Sequence, residues 1–273
     1  MITENGLKMP KLGLGTWRMK GDECTAAVEG ALSRGYRHID TAQMYGNEDA
    51  VGAALANTSV ARGDIHLTTK VWHENLAPDA MKRAMENSLT QLRQSYVDLY
   101  LIHWPSPTMD LPSALGQLVK FKEQGLARNI GVSNFPVTLL KRAVEEIGAP
   151  IAVNQFEYHV LIDQTKLVTY ARSKGVVVTA YCPLAQGRLA DHPSLMDIAK
   201  KHGVSAAQVA LKWLLDQDGV AAIPKAARAE SQQANLDAQK LVLDDADRAA
   251  IAALPKTERF VNPAFAPQWD VAA

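Results

Sequence analysis

Short runs of β-branched and apolar residues recur along the chain. Between them the apolar positions change to a spacing of three and four. The runs predict buried strands, and the three-and-four spacing predicts amphipathic helices. The predicted strands are LGLGTW, RHIDTA, IHLTTKVW, VDLYLIHW, ARNIGVSN, IAVNQFE, VVVTAYCPL and VAAIPKA, eight in all. The helical segments include DECTAAVEGALSRG, NEDAVGAALAN, APDAMKRAMENSLTQLRQ, LPSALGQLVKFKEQG, PVTLLKRAVEEIG, DQTKLVTYARSKG and AAQVALKWLLDQDG. Gly35, Gly125, Gly148, Gly175 and Gly219 close five helices, the usual place for a left-handed terminator.

Strands alternating with helices imply a parallel sheet covered by helices. Eight such units predict an α/β fold, the (β/α)8 TIM barrel. The competitor is a doubly wound open sheet, whose nucleotide-binding form carries G-x-G-x-x-G after its first strand. Here Gly13-x-Gly15 runs on into Thr16, Trp17 and Arg18, so that fingerprint is absent. The opening segment MITENGLKMPKLG is expected to form an N-terminal hairpin at Asn5-Gly6 that plugs the barrel bottom. The end, with Pro255, Pro263 and Pro267, reads as a loop-rich C-terminal tail. No linker interrupts the pattern, so residues 1–273 are expected to form one domain.

In such a barrel the chemistry sits at the carboxyl ends of the strands. Predicted strands two to eight finish in hydrogen-bonding groups: Asp40, Lys70, His103, Ser133-Asn134, Asn154-Gln155, Tyr181 and Lys225. Any one of these alone reads as a cap, a structural histidine or a solvated amine. Their co-occurrence on consecutive strands, with Tyr45 in the loop after Asp40, points to one shared cleft. His38, deeper in the strand of Asp40, is expected to be structural.

A buried ammonium at Lys70 needs a counter-ion, and Asp40 on the adjacent strand is the natural one. The cation is then expected to lower the pKa of the Tyr45 phenol from its ordinary ~10 and make it a general acid. His103 can orient a substrate oxygen. This set protonates a carbonyl oxygen as it becomes an alkoxide. No side chain can donate a hydride, so a nicotinamide cofactor is implied.

At these residues the chain resembles the aldo-keto reductases along essentially its full length. It is most similar to the short bacterial group that includes 2,5-diketo-D-gluconate and methylglyoxal reductases. The matching motifs are GLGTW, GYRHIDTAQMYGNE, TTKVW, VDLYLIHWP, GVSNF, VNQ, AYCPLAQG and IPK. The resemblance implies a catalytic tetrad of Asp40, Tyr45, Lys70 and His103, with Tyr45 the proton donor. It implies that Ser133, Asn134 and Gln155 hold the nicotinamide carboxamide and that Tyr181 stacks on its ring. Pro183, Leu184, Gln186 and Gly187 would cover the pyrophosphate.

The adenosine end departs from the family pattern. The family often reads IPKS, with Arg six residues after the Lys and Glu-Asn shortly beyond. Here Lys225 and Asn235 are kept, Ala226 replaces the hydroxyl residue, and Ser231 and Ala234 stand at the Arg and Glu positions. Arg228 offers a second cation to a 2′-phosphate. The expected preference is NADPH, with NADH also used.

Trp17, Trp72 and Trp104 fall at or just beyond strand ends and are expected to wall the substrate pocket, with Trp269 from the tail a further wall. The short linkers SPTMD and LAQGRLADHP predict an open rim for small, hydrated carbonyls.

Composition sets bounds on these readings. The 273 residues are 47% hydrophobic and 21% charged, with 29 basic residues against 29 acidic. That balance and the lack of a basic stripe give no argument for nucleic acid. No apolar run approaches the ~20 residues of a membrane span, and the N-terminus lacks a signal-peptide core. Two separated cysteines, Cys24 and Cys182, fit a reducing cytoplasm. A monomer is expected. A metal-dependent barrel hydrolase is the first rival. Of seven histidines only His38 and His103 are expected in inward-facing strand positions, and Lys70 beside Asp40 disfavours a divalent ion. The second rival is a non-catalytic nicotinamide-nucleotide-binding regulatory or structural protein of the same fold. All four tetrad positions being present argues for chemistry.

Overall fold

The computed structural model describes residues 1–270. Strands β1 (Ile2–Glu4) and β2 (Leu7–Met9) pair antiparallel. Asn5 and Gly6 both take positive φ, as a two-residue hairpin turn requires. Eight parallel strands follow: β3 (Leu14–Gly15), β4 (His38–Asp40), β5 (His66–Val71), β6 (Val97–Ile102), β7 (Ala127–Ser133), β8 (Ile151–Glu157), β9 (Val177–Tyr181) and β10 (Val220–Ala222). They lie side by side in chain order. Parallel bridges Leu12–Ala222 and Gly15–Lys225 close the ring. At the seam Ala222 N donates to Lys11 O at 2.7 Å and Gly13 N to Ala222 O at 2.9 Å. Glycine is needed here, because a Cβ on Gly15 would sit 2.6 Å from Ile223 O. The fold is the (β/α)8 barrel.

The helices are α1 (Gly21–Ser33), α2 (Glu48–Asn57), α3 (Pro78–Leu92), α4 (Leu111–Glu123), α5 (Val137–Lys141), α6 (Thr165–Ser173), α7 (Pro193–His202), α8 (Ala206–Leu215), α9 (Ala229–Asp237) and α10 (Asp245–Ala252). All seven segments read as helical from their spacing form helices, and the five terminal glycines adopt positive φ. Helices α7, α9 and α10 lie outside those seven segments. The first begins at Pro193 inside a stretch that reads as loop. Helix α10 is polar and eight residues long, but it carries a capping box in which Asp244 and Asp247 each accept the other's backbone N–H. Among the described residues no helix is long and apolar enough to cross a membrane.

Leu7 and Met9 are fully buried and pack with Leu99, Leu101, Val153, Val177 and Ala221 inside the barrel. The hairpin therefore closes the amino-terminal mouth, as the sequence predicts. Burying each such side chain contributes about 1.5–3 kcal/mol. The opposite mouth, at the carboxyl ends of the strands, is left for polar groups. After α10 the chain runs as an irregular tail to Asp270, bridging Thr257 to Ile162 on the way.

Candidate active site

Successive side chains of a strand point to opposite faces. Asp40 on β4 and Lys70 on β5 both point into the barrel and meet. Lys70 Nζ donates to Asp40 Oδ1 at 2.5 Å and to Thr41 O at 2.8 Å. Both side chains are essentially without solvent contact. The second carboxylate oxygen, Asp40 Oδ2, accepts from Gln155 Nε2 at 2.8 Å. Burial pulls the Lys70 pKa down, and the Asp40 carboxylate opposes that pull.

Tyr45 ends a 3₁₀ turn (Gln43–Tyr45) that Gly46 terminates in left-handed backbone. Lys20 Nζ donates to Tyr45 O at 2.5 Å, and Trp72 N donates to Gln43 Oε1 at 3.0 Å. These bonds fix the turn over the rim. The Lys70 ammonium stands 5.1 Å from the Tyr45 ring centroid. The Tyr45 ring is 4.9 Å from Trp17 and meets His103 edge-on at 5.5 Å. His103 meets Trp72 edge-on at 5.4 Å.

The pKa of Tyr45 corrects the sequence expectation. Burial, and then the Asp40 carboxylate, hold the phenol well above its usual value. Both act against the lowering expected from Lys70. Tyr45 therefore holds its proton at neutral pH. His103 is driven well below the ordinary histidine value by burial and then by Lys70, so its ring is neutral. Its Nδ1 is buried without a hydrogen-bond partner among the described residues.

Ser133 and Asn134 follow in line on β7 and just beyond it, and both are fully buried. Asn134 Nδ2 donates to His103 O and to Ser133 Oγ, each at 3.0 Å. Its Oδ1 accepts from Tyr181 OH at 2.7 Å, which orients the half-buried Tyr181 ring. Ser133, Asn134, Gln155 and Tyr181 thus belong to one hydrogen-bonded surface beside Asp40 and His103. The next segment carries Pro183, Leu184, Gln186 and Gly187. Cys182, Ala185, Gln186 and Gly187 in it all have positive φ. Non-glycine residues held this way cost about 1–3 kcal/mol each and cluster where a loop is shaped for a ligand.

Lys225 and Arg228 lie exposed beyond β10, with Arg228 at the N-cap of α9. Asn235 lies further along α9. It is 6% exposed, and the nearby Tyr36 hydroxyl donates to Gln232 O at 3.0 Å.

The three tryptophans differ in setting. Trp17 is 43% exposed at the mouth, Trp72 is half-buried, and Trp104 is 4% exposed beneath the tail. Phe265 of the tail meets Trp72 and Trp104 edge-on at 5.5 and 5.6 Å and lies 4.0 Å from the His73 ring. Trp269 reaches Trp104 at 5.9 Å. Trp269 is expected from the sequence near these rings, whereas Phe265 and His73 are not. Phe265 is the tail's aromatic between Pro263 and Pro267, which was the available signal.

His38 sits one layer below Asp40, 3.3 Å from Pro10 O, with its ring edge-on to His66 at 4.9 Å. Its position is structural in kind. His66, not anticipated as an inward residue, shares that layer.

A barrel with a buried lysine–aspartate pair, a tyrosine and a histidine at its carboxyl-terminal mouth matches a known group of proteins. The aldo/keto reductase family pattern matches residues 11–256. The chain belongs to the aldo/keto reductase family and is an oxidoreductase. It is 42% identical over 268 residues to methylglyoxal reductase DkgB of Escherichia coli O157:H7, covering 97% of this chain and 100% of that one. It is 41% identical over 258 residues to glyoxal reductase of Bacillus subtilis (strain 168), covering 93% and 92%. A crystal structure provisionally named 2,5-diketo-D-gluconic acid reductase B superposes with a TM-score of 0.96 at 40% identity, over 99% of this chain and 97% of that one. These relatives support reduction of carbonyl groups.

Proposed function

We propose that this chain, acting as a single barrel domain and a monomer, reduces small aldehydes and ketones of the methylglyoxal and 2,5-diketo-D-gluconate type with NADPH, and that Tyr45 supplies the proton. The observation that carries this reading is the buried Lys70–Asp40 pair beneath a phenol that keeps its proton.

The rim residues fit a nicotinamide nucleotide. Tyr181 offers a half-buried ring whose hydroxyl is already tied down, beside the amides of Asn134 and Gln155 and the hydroxyl of Ser133. That set matches a flat ring bearing a carboxamide. The residues 182–187, with their left-handed backbone, suit a pyrophosphate cover, and the exposed cations Lys225 and Arg228 at the start of α9 suit a 2′-phosphate. Reduced nicotinamide, when bound, supplies the hydride that no side chain can.

The chain's own residues do the rest. His103, neutral by burial, can hydrogen-bond a carbonyl oxygen without competing for its proton. Tyr45 holds a proton ready for that oxygen as negative charge develops on it. Lys70, kept charged by Asp40, stabilises the phenolate that this transfer leaves behind. The lysine thus acts on the product of the proton transfer, while the resting phenol stays loaded. Trp17, Trp72, Trp104 and Phe265 exclude water and restrict the space to short substrates. The unpaired thiols of Cys24 and Cys182 support a cytoplasmic setting.

The test is a matrix of steady-state rates, with methylglyoxal, a keto-sugar acid and a steroid ketone against NADPH and NADH. Turnover of the first two with higher kcat/KM for NADPH is expected. Equal or better use of NADH would overturn the cofactor preference. Preference for the steroid would overturn the small-substrate reading. Cofactor binding without any turnover would favour a non-catalytic role.

A further inference from the structure

Glu157 is the last residue of β8, has no solvent exposure, and lies two positions after Gln155 on the same side of the strand. Gln155 donates to Asp40 inside the catalytic cluster, and Glu157 pairs in register with Tyr181 on β9. A carboxylate buried at this depth needs several donors, and two of them come from the tail. Glu157 Oε1 accepts from Phe260 N at 2.7 Å and lies 3.0 Å from His159 Nε2. Its Oε2 accepts from Val261 N at 3.0 Å, with Arg259 Nη1 at 4.0 Å. Two consecutive backbone N–H groups of the tail thus end on one side chain of the barrel rim.

Around this point the tail is locked by stacking. Phe260 packs between the His159 ring at 5.2 Å and the Arg188 guanidinium at 4.5 Å. Arg259 lies 3.8 Å over the Trp269 ring. At the far end, Asp270 Oδ2 accepts from Val137 N at 3.0 Å. Between these ties Phe265 reaches over Trp72, His73 and Trp104. Trp72 in turn meets His103.

We propose that Glu157 is a positioning residue of this reductase: by holding Phe260 and Val261 it sets where Phe265 closes the pocket, and so sets affinity for the carbonyl substrate. The proposal rests on the reading of the site as a reductase. Among the described residues the Glu157 carboxylate makes its hydrogen bonds to His159 and the tail, and none of them goes to Asp40, Tyr45, Lys70 or His103. A wall that contacts substrate equally before and during reaction changes KM and leaves kcat nearly alone.

Three variants test it: Glu157→Gln, Phe265→Ala and the double. Glutamine keeps the size but turns an N–H donor toward one of the two tail N–H groups. With methylglyoxal and NADPH, Glu157→Gln is expected to raise KM about tenfold with kcat within about threefold. Affinity for NADPH, followed by quenching of protein fluorescence, should hold. Phe265→Ala should raise KM in the same way, and the double should be no worse than about twofold beyond the larger single, because both act through one wall. Unchanged KM in Glu157→Gln, effects that multiply in the double, or a parallel loss of NADPH affinity would each overturn the proposal. If Glu157→Gln does not fold, Val261→Pro removes one of the accepted N–H groups and leaves the carboxylate in place. Unchanged KM there is equally fatal. A wild-type protein that reduces no carbonyl would sink the reductase reading instead, which keeps the two failures apart.

Discussion

Lys70 and Asp40 form a fully buried ion pair at 2.5 Å across strands β4 and β5. Both carboxylate oxygens are used, one by Lys70 and one by Gln155. Asp40→Asn removes the counter-charge and leaves an ammonium in the barrel interior. Breaking a buried pair in this way costs about 3–5 kcal/mol. Urea unfolding of Asp40→Asn is expected to show a loss of that size. A variant within about 1 kcal/mol of wild type would mean that the pair does not hold the rim together.

Lys70→Met leaves the Tyr45 ring in place and removes the cation below it. If Lys70 stabilises the phenolate formed on proton transfer, kcat should fall about 10²–10⁴-fold, the usual contribution of a positioned general acid. NADPH affinity should change little. A fall in cofactor affinity with unchanged kcat would move Lys70 out of the proton-transfer machinery.

The direction of the Tyr45 pKa fixes the pH dependence of reduction. A donor must carry its proton, and burial followed by Asp40 raises this phenol above its ordinary 10.0. Rate is therefore retained through neutral and mildly alkaline pH and lost only as pH rises through the raised value. The kcat/KM profile for carbonyl reduction should have no descending limb from Tyr45 below about pH 10. A limb centred near about pH 8, matched by a phenolate absorbance that Tyr45→Phe lacks, would contradict this.

His38 and His66 meet edge-on at the barrel bottom, and burial lowers both pKa values below 6.5, with repulsion from His38 adding for His66. The unfolded chain then binds protons that the folded chain refuses. Stability is full above about pH 6.5 and declines as pH falls through that value, by up to about 1.4 kcal/mol per pH unit for each ring. Thermal melts of His66→Leu should lose less between neutral and acid pH than those of wild type. Identical pH slopes would show that the pair does not titrate on unfolding.

Lys225 and Arg228 are the exposed cations nearest the start of α9. Replacing both with Gln should raise KM for NADPH about tenfold, a modest figure because exposed charges are screened. KM for NADH should be unaffected. Equal effects on both cofactors would remove these residues from 2′-phosphate recognition.

How much of this was legible in sequence follows from range. The eight strands could be read because each is a short apolar run, and Asp40, Lys70 and His103 stood out as polar ends of adjacent runs. Helices α7 and α10 were hidden by Pro193 and by a polar composition, although the Asp244–Asp247 spacing is a capping signal. Phe265 and Glu157 act across more than 100 residues of chain. No local pattern joins Phe260 to Glu157, although the parity of Gln155 and Glu157 on β8 marks the latter as inward. The Tyr45 pKa was misjudged in direction because the sequence displays the cation but not the depth of burial around the phenol.

The central claim is that Tyr45 gives the proton while the cofactor surface stands independent of it. The most direct measurement compares wild type and Tyr45→Phe for methylglyoxal-dependent NADPH oxidation and for NADPH binding. Phenylalanine keeps the ring against Trp17 and His103 and removes only the hydroxyl. The account predicts a rate loss of about 10²-fold or more with NADPH affinity intact. Turnover at the wild-type rate in Tyr45→Phe would contradict it.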